Sequence, residues 1–260
     1  MSDRWINRRT LLAGGGLALA GVGLSGCDSA VSGDSAQKAY AGVDALNRAT
    51  QEPLLAHQPL AREFAKADIS PFFYANGNTD PEDEDYKALV ASGFKDYRLV
   101  VDGLVNKPQS LSLDQLKAMP ARTQITRHDC VEGWSCIGQW TGTPLLGVLS
   151  RAELKPEARY VVFHCFDSMD DGSLSGPTPF YGSIDLMAAA SPQTILAYAM
   201  NDAPLPVRHG APLRLRVERQ LGYKMNKFIK RIEVVADFAA FGGGKGGYWE
   251  DNGYQWYAGI

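Results

Sequence analysis

One short stretch of the chain surrounds a cysteine with residues that would favour its chemistry. Cys130 follows Arg127 and His128, whose positive charges would favour a thiolate. Gly133 and Gly138 allow the following backbone to approach a ligand closely. A thiolate is a soft ligand that suits a transition metal better than Mg²⁺ or Ca²⁺. The pattern indicates a metal-binding thiolate; the alternative is a cysteine that packs as a small apolar side chain.

The composition is that of an ordinary globular protein. The chain has 260 residues, of which 45% are hydrophobic and 21% are charged, which fits a domain with a sizeable core. Its formal net charge is −3 and it contains no run of basic residues, which argues against a nucleic-acid partner. We therefore expect one domain of the size of a typical catalytic domain, preceded by a short leader.

The N-terminus, residues 1–27, has the pattern of an export signal. Arg8 and Arg9 precede a weakly hydrophobic stretch rich in Gly and Ala, as in a twin-arginine signal. This stretch is too short and too rich in glycine for a membrane span. The Leu-Ser-Gly-Cys sequence that ends at Cys27 resembles a lipoprotein cleavage box, although ordinary cleavage is the alternative. We expect a periplasmic protein that is lipid-anchored through Cys27, with residues 28–37 as a flexible tether.

The rest of the chain mixes helical and strand patterns without regular alternation. Residues 38–70 have the spacing of one or two short helices. Ser112 opens a capping box, and Pro144 is expected at the first position of another helix. Strands are predicted at 97–103, 124–126, 160–164, 193–200, 213–217 and 228–235. This pattern predicts an α+β domain around a mixed sheet at 71–240, with a short helical segment before it.

Residues 241–260 form a tail of different composition. Its first part, 241–247, is rich in glycine but lacks the spacing and the Ser/Thr of a P-loop, so a flexible connection is predicted. The aromatic residues that follow are Tyr248, Trp249, Tyr254, Trp256 and Tyr257. We expect them to fold back on the domain near the mouth of the candidate site; the alternative is an exposed patch that docks a partner.

Several motifs occur in the order found in the sulfite-oxidase family of molybdopterin enzymes. They are a strand before Asp102-Gly103, Leu113-Asp114-Gln115-Leu116, Cys130-Val131-Glu132-Gly133-Trp134-Ser135, Trp140-Thr141-Gly142-Thr143-Pro144-Leu145 and His209-Gly210-Ala211-Pro212-Leu213-Arg214. The similarity runs from about Phe72 to Val235. The Cys130 loop is most similar to that of bacterial periplasmic methionine-sulfoxide reductase catalytic subunits. The resemblance implies a sulfite-oxidase-type domain that carries molybdenum-molybdopterin and transfers an oxygen atom to or from a small substrate.

The resemblance also implies roles for individual residues. Cys130 matches the thiolate that ligates molybdenum. The positions that match cofactor contacts are Asn76, Cys165, His209, Arg214, Tyr223, Lys224 and Lys227. Of these, His209 and Arg214 would contact the polar or phosphate end, where a bidentate guanidinium suits phosphate better than Lys. The loop 222–227 would supply backbone amides and a lysine to the same phosphate. Taken singly, these could be ordinary loop or surface residues.

Two features depart from the family pattern. Sulfite oxidases have basic residues soon after the ligand cysteine, whereas here no Arg or Lys follows Cys130 before Arg151. Sulfite is therefore not the expected substrate. Cys165 replaces a Thr that lies near the metal in the reductase, which leaves the choice between a sulfoxide and another S- or N-oxide open. Cys165, beside His164, could tune the site, stay a buried thiol, or pair with Cys136 as a disulfide.

The redox partner is expected to be a separate subunit. The chain has no Cys-x-x-Cys-His haem motif, so a membrane cytochrome b is the expected electron donor or acceptor, and we expect a monomeric catalytic subunit. One alternative is a non-catalytic lipoprotein scaffold whose Cys130, Cys136, Cys165 and His164 hold zinc or a disulfide, although the spacing is unusual for zinc. Another is a domain that binds the pterin without catalysis, as a cofactor chaperone would.

Overall fold

The computed structural model describes residues 60–170 and 176–260, all within one compact unit from Leu55 to Ile260. The export signal, Cys27, the tether and residues 38–59 lie outside the described residues. Between residues 60 and 68, the helical prediction is wrong apart from a 3-10 turn, Lys66–Asp68. Glu63 forms an isolated bridge with Thr126 and the amide of Phe64 donates to Ile125, because this segment covers the edge of a sheet.

The strands are short and are separated by short helices. In chain order, the strands are β1 Arg98–Gly103, β2 Gln109–Ser112, β3 Arg122–Asp129, β4 Ser135–Pro144, β5 Tyr160–Met169, β6 Thr178–Asp185, β7 Ile195–Met200, β8 Ala203–Pro204, β9 Arg214–Arg216 and β10 Ile229–Val235. The helices are α1 Glu84–Ala91, α2 Leu113–Lys117, α3 Leu145–Ala152, α4 Leu186–Ala190 and α5 Tyr248–Asp251. None of the described helices is long and apolar enough to cross a membrane.

The strands form two five-stranded sheets. The first has the order β2-β1-β10-β5-β6; β1 and β10 pair in parallel and the other neighbours are antiparallel. The second has the order β3-β4-β7-β8, with β9 also paired to β7. The first sheet is mixed, so the α+β prediction with a mixed sheet is confirmed. Most predicted strands are present, with boundaries that differ by a few residues.

Strand β4 was not predicted. Together with β3 it flanks the turn that contains Cys130. It pairs antiparallel with β3 from Arg122 opposite Gly142 to Asp129 opposite Ser135. Glycines interrupt the apolar alternation that would have revealed this strand. A Cβ atom at Gly142 would lie 2.3 Å from the Leu196 carbonyl oxygen, so this close strand contact requires glycine.

The helix starts follow from local chemistry. Ser112 accepts a hydrogen bond from the Gln115 amide and the Gln115 side chain returns one, so the predicted capping box is present at α2. Pro144 ends β4 and caps α3, one position before the place predicted for it. The apolar face of α3 is buried in the main core, which also receives β1, β5 and β10.

The tail is ordered rather than a flexible connection. The Asp251 carboxylate accepts hydrogen bonds from the amides of Gly243 (2.7 Å) and Lys245 (3.0 Å) and from the Tyr181 hydroxyl (2.7 Å). Phe238 and Trp256 stack with their ring centroids 5.6 Å apart. The predicted folding of the aromatic tail onto the domain is therefore present in the structure.

Candidate active site

Cys130 lies in the tight turn that joins β3 to β4. Its amide donates to the Trp134 carbonyl at 2.9 Å, and the Gly133 amide donates back to the Cys130 carbonyl at 3.0 Å. Gly133 has a φ of +89°, which glycine adopts at no steric cost. The side chain of Cys130 is buried, and this burial raises the pKa of the thiol while the charge of Arg214 lowers it. The hairpin thus holds a shielded thiol beside a cation.

The charge that favours a thiolate comes from Arg214, not from the neighbours in sequence. Arg127 lies on the outer face of β3 and pairs with Asp129 at 2.8 Å. His128 points inward and is fully buried, and burial holds its pKa well below the usual range, so the imidazole is neutral. Alternation along the strand separates the two side chains, and this corrects the prediction that both would activate Cys130.

Arg214 is buried without a carboxylate partner among the described residues. Its side chain is 0% exposed, and its Nη1 donates a hydrogen bond to the His209 carbonyl at 3.2 Å. Nε and Nη2 find no hydrogen-bond partner among the described residues. The guanidinium lies over the Trp140 ring, 5.3 Å from its centroid, and burial lowers its pKa. A buried cation without an acid partner is unfavourable unless an anion joins it.

His209 presents a second unpartnered polar atom beside this arginine. It closes the 3-10 turn Val207–His209, and Gly210 follows in the left-handed region with a φ of +108°. Its Nδ1 atom is buried and has no partner in the described part of the chain. Burial, with the charge of Arg214, lowers the pKa of His209 to about 4, so the ring is neutral at pH 7. A neutral imidazole can donate to or accept from a ligand.

Lys227 contacts the loop around Asn76 directly. The ammonium of Lys227 donates to the Asn76 carbonyl at 2.5 Å and also to the Asn78 carbonyl. Burial, with the charge of Arg214, lowers the pKa of Lys227 to about 7. The Oδ1 atom of Asn76 is buried and has no partner among residues 60–170 and 176–260.

Lys227 and the loop around Asn76 border an open cleft of about 350 Å³, a volume that includes space open to solvent. Its walls include Asn76, Tyr223, Lys227 and Trp249. Gly222 also lines the cleft, and a Cβ atom there would lie 2.4 Å from the His128 ring. The cleft therefore extends from the loop at Asn76 to the residues packed against the strand that precedes Cys130.

Asp167 is a polar residue that lines the cleft and was not predicted from the sequence. It is only 4% exposed, and its Oδ1 atom has no partner within the described residues. Burial raises the pKa of its carboxyl to about 7, although the charge of Lys227 acts in the opposite direction. Asp167 lies two residues after Cys165 on β5, so its position on this strand was the only signal that could have found it.

The remaining predicted residues have protein partners. Lys224 forms a buried ion pair with Glu250, and its ammonium also lies over the Trp256 ring. Tyr223 lines the cleft and donates through its hydroxyl to the Gln255 carbonyl at 2.7 Å. Their contact with a cofactor stays a prediction.

Cys165 and Cys136 are both free, buried thiols. They belong to two different apolar clusters, so the structure contains no disulfide between them. Burial raises the pKa of Cys165 well above its usual value, and the Asn226 side chain lies 3.9 Å from its sulfur. Its direct contact with a cofactor also stays a prediction.

Comparison with known proteins identifies the family. Residues 87–240 match the model for the oxidoreductase molybdopterin binding domain. A protein of Azospira oryzae, provisionally named protein-methionine-sulfoxide reductase subunit YedZ1, is 35% identical over 246 residues, which are 94% of this chain and 83% of the relative. This chain belongs to the family of molybdopterin-binding oxidoreductases. It is therefore an oxidoreductase enzyme with a molybdopterin cofactor, and the two non-catalytic hypotheses are wrong.

Two further sequence relatives agree on the family. The catalytic subunit MsrP of a protein-methionine-sulfoxide reductase from Xanthomonas campestris pv. campestris is 38% identical over 172 residues, which are 63% of this chain and 52% of that protein. MsrP of Ralstonia nicotianae is 29% identical over 235 residues, 88% of this chain and 68% of the relative. The sulfane dehydrogenase SoxCD from Paracoccus pantotrophus has a TM-score of 0.47 and 23% identity, over 55% of this chain and 39% of that one.

The residues around the cleft fit a molybdopterin. The buried thiol of Cys130 is the kind of ligand that a soft metal prefers. Arg214 and Lys227 offer positive charge to an anionic group, and the unpartnered atoms of Asn76, Asp167 and His209 offer hydrogen bonds to a polar ring. No group of three His, Cys, Asp or Glu side chains in the described ranges is arranged to hold a metal without the cofactor. The cofactor would thus satisfy polar atoms that the protein leaves without partners.

Proposed function

We propose that this enzyme reduces sulfoxides, and that its substrate is methionine sulfoxide in proteins. The names of the relatives from Azospira, Xanthomonas and Ralstonia support this substrate class. The reaction takes two electrons and two protons, breaks the sulfur–oxygen bond, and releases a thioether and water. The electrons come from a separate redox partner.

The observation that carries this proposal is the character of the surface around the Cys130 turn. Val131 is 47% exposed and Tyr74 is 52% exposed, and the Tyr74 ring lies 5.3 Å from that of Trp134. The Trp134 indole donates to the Glu132 carboxylate at 2.9 Å. An anion such as sulfite would meet an acidic side chain here, whereas a neutral sulfoxide with apolar flanks would meet aromatic rings that attract sulfur.

The side chains of the candidate site have separable tasks in such a reaction. The molybdopterin would supply two-electron oxygen-atom-transfer chemistry when bound. Cys130 would hold the metal as a thiolate, and Arg214 would stabilise the negative charge beside it. Lys227 holds the loop at Asn76 in place through two carbonyls. Burial moves the pKa of both Asp167 and Lys227 to about 7, so each can hold or release a proton in the cleft near neutral pH.

The test is turnover by the purified, cofactor-loaded protein. With a chemically reduced viologen as electron donor, we expect oxidation of the dye with a peptide that contains methionine sulfoxide, and no comparable reaction with sulfite and an electron acceptor. Cys130→Ser should lower the rate at least about 10³-fold, because the thiolate ligand is lost. Cys136→Ser, which changes a buried thiol of the second apolar cluster, is the matched control and should retain activity. Full turnover by Cys130→Ser would contradict the ligand assignment.

We also propose that the protein is exported by the twin-arginine route and receives its electrons from a membrane cytochrome b. Arg8, Arg9 and the apolar stretch that follows support export, and the sequence around Cys27 supports a lipid anchor. Blocking lipoprotein processing should change the size and the membrane association of the protein. Membranes with reduced quinone should change the EPR signal of the metal, and an unchanged signal would exclude this partner.

A further inference from the structure

The last 20 residues supply one wall of the cofactor cleft. Trp249, on α5, lines the cleft together with Lys227 and Asp167. Its ring stacks on that of Tyr254, with centroids 5.2 Å apart and an interplanar angle of 27°. Residues 241–260 follow the last residue of the match to the family model. The tail therefore borders the cleft from outside the matched range.

A buried ion pair holds this wall in place. Glu250 accepts a hydrogen bond from the ammonium of Lys224, and the two side chains are 4% and 1% exposed. Lys224 belongs to the 3-10 turn Gly222–Lys224, and Gly222 of this turn packs against the His128 ring. Because a buried charge is strongly unfavourable without its partner, this pair fixes α5 to the turn.

The end of the tail forms hydrogen bonds with the residues that precede the same turn. The Leu221 amide donates to the Ala258 carbonyl at 2.9 Å, and the Ile260 amide donates to the Arg219 carbonyl at 3.1 Å. The Tyr223 hydroxyl adds a bond to the Gln255 carbonyl. The tail thus forms hydrogen bonds both with the segment that precedes the turn and with the turn itself.

A third set of contacts fixes the tail to β6. Ser183 donates through its hydroxyl to the Gly246 carbonyl at 2.5 Å and accepts from the Trp256 indole at 2.8 Å. Gly182 forms a bridge with Gly247. Strand β6 is the edge strand of the first sheet, so the tail spans from this edge to the turn. The tail thus contacts both the turn and β6, and residues of both elements line the cleft.

We propose that residues 241–260 are a clasp that retains the molybdopterin, in which Trp249 contacts the cofactor and Glu250 positions it through Lys224. The large aromatic face of Trp249 suits the flat, polar ring system of a pterin. The positioning role of Glu250 follows from its buried ion pair with Lys224, which fixes α5. Trp249 lies next to Glu250 on this helix and packs its ring against Tyr248 and Tyr254. This inference concerns cofactor retention and does not depend on the sulfoxide substrate.

The experiment measures cofactor release from the holoenzyme. Purified protein is diluted and incubated, and free pterin is followed by its fluorescence after oxidation, with molybdenum per chain as a second readout. Trp249→Ala should release the cofactor about ten-fold faster, and Trp249→Phe should fall between this variant and the wild type. Glu250→Gln should give an increase at least as large as that of Trp249→Ala. Neither measurement uses a substrate, so the outcome is independent of the proposed reaction.

A control variant distinguishes a specific effect of the clasp on cofactor release from the effect of a general loss of stability. Val148→Ala creates a cavity in α3, a fully buried part of the main core that does not line the cleft, and should lower the melting temperature while it leaves the release rate within about two-fold. Release from Trp249→Ala at the wild-type rate would overturn the proposal. So would equal acceleration by Val148→Ala and Trp249→Ala at matched loss of melting temperature.

Discussion

Arg214 and Arg216 lie two residues apart on the same strand, and both are fully buried against Trp140. Arg216 has a complete set of partners: Nε and Nη2 donate to the Glu218 carboxylate at 2.8 and 2.6 Å, and Nη1 lies 3.0 Å from His128 Nδ1. Arg214 has one backbone carbonyl. The same residue type on the same strand thus has a carboxylate partner in one case and none among the described residues in the other, where we expect a ligand to supply it.

The difference shows how to recognise a binding cation inside a protein. Burial alone does not separate the two arginines, and neither does their contact with the indole. Their hydrogen-bond partners do distinguish them, because a buried charge with a structural role is normally paired with an opposite charge of the protein. The same contrast distinguishes Lys224, which is paired with Glu250, from Lys227, which donates to the carbonyl oxygens of the loop at Asn76.

The largest effect is expected when the structural arginine is removed. Arg216→Met leaves the buried Glu218 carboxylate without its cation, which should destabilise the protein by about 3–5 kcal/mol. Urea unfolding of the cofactor-free protein measures this change. A loss below about 1 kcal/mol would mean that the paired and unpaired arginines are energetically alike, and the comparison would fail.

The reverse result is expected for the second arginine. Arg214→Met removes an unpartnered buried charge, so the cofactor-free protein should be as stable as the wild type or more stable. Cofactor affinity should fall by about 10²-fold, because a charge-assisted contact is lost. Molybdenum per chain after purification gives this readout. Normal cofactor content would show that Arg214 does not bind the anionic end.

Asp167 extends the comparison to a buried acid that lacks a partner on Oδ1 among the described residues, and the effect of pH on stability tests it. Its pKa is raised to about 7, so the folded protein keeps a proton that the unfolded chain releases near the ordinary value of 3.8. Its contribution to stability is therefore fully present below that value and is lost as pH rises through about 7. Asp167→Asn should make the cofactor-free protein more stable at pH 8, on the order of 2 kcal/mol, with little change at pH 4. Thermal unfolding at the two pH values tests this sign.

The smallest effect is expected from the titration of Lys227. Its pKa is lowered to about 7, so the empty cleft loses this positive charge as pH rises above that value. Release of an anionic cofactor should therefore quicken several-fold between pH 6 and pH 9. Lys227→Met should flatten the profile, whereas exposed Lys230→Met is a control that should leave the profile intact. A profile that keeps its slope in Lys227→Met would assign the dependence to another group.

The sequence predicted the elements with strong local signals and missed those set by tertiary contacts. Alternation at residues 97–103 and the capping box at Ser112 were sufficient to place β1 and α2. Strand β4 was missed because its glycines serve contacts between strands and not an apolar pattern. In the site, motif order located Cys130 and Arg214, but no local pattern could show which buried charges lack a partner, so Asp167 was missed and His128 was misjudged.

Trp140 lies beneath both arginines, with their guanidinium carbons 5.3 and 4.4 Å from the ring centroid. If the cofactor pairs with Arg214 as proposed, only that cation changes its surroundings on binding, while Arg216 stays bound to its carboxylate. The energy of the excited state of an indole shifts with the electric field across its ring. The contribution of Trp140 to the emission of the five tryptophans should therefore differ between the loaded and the empty enzyme without any added label.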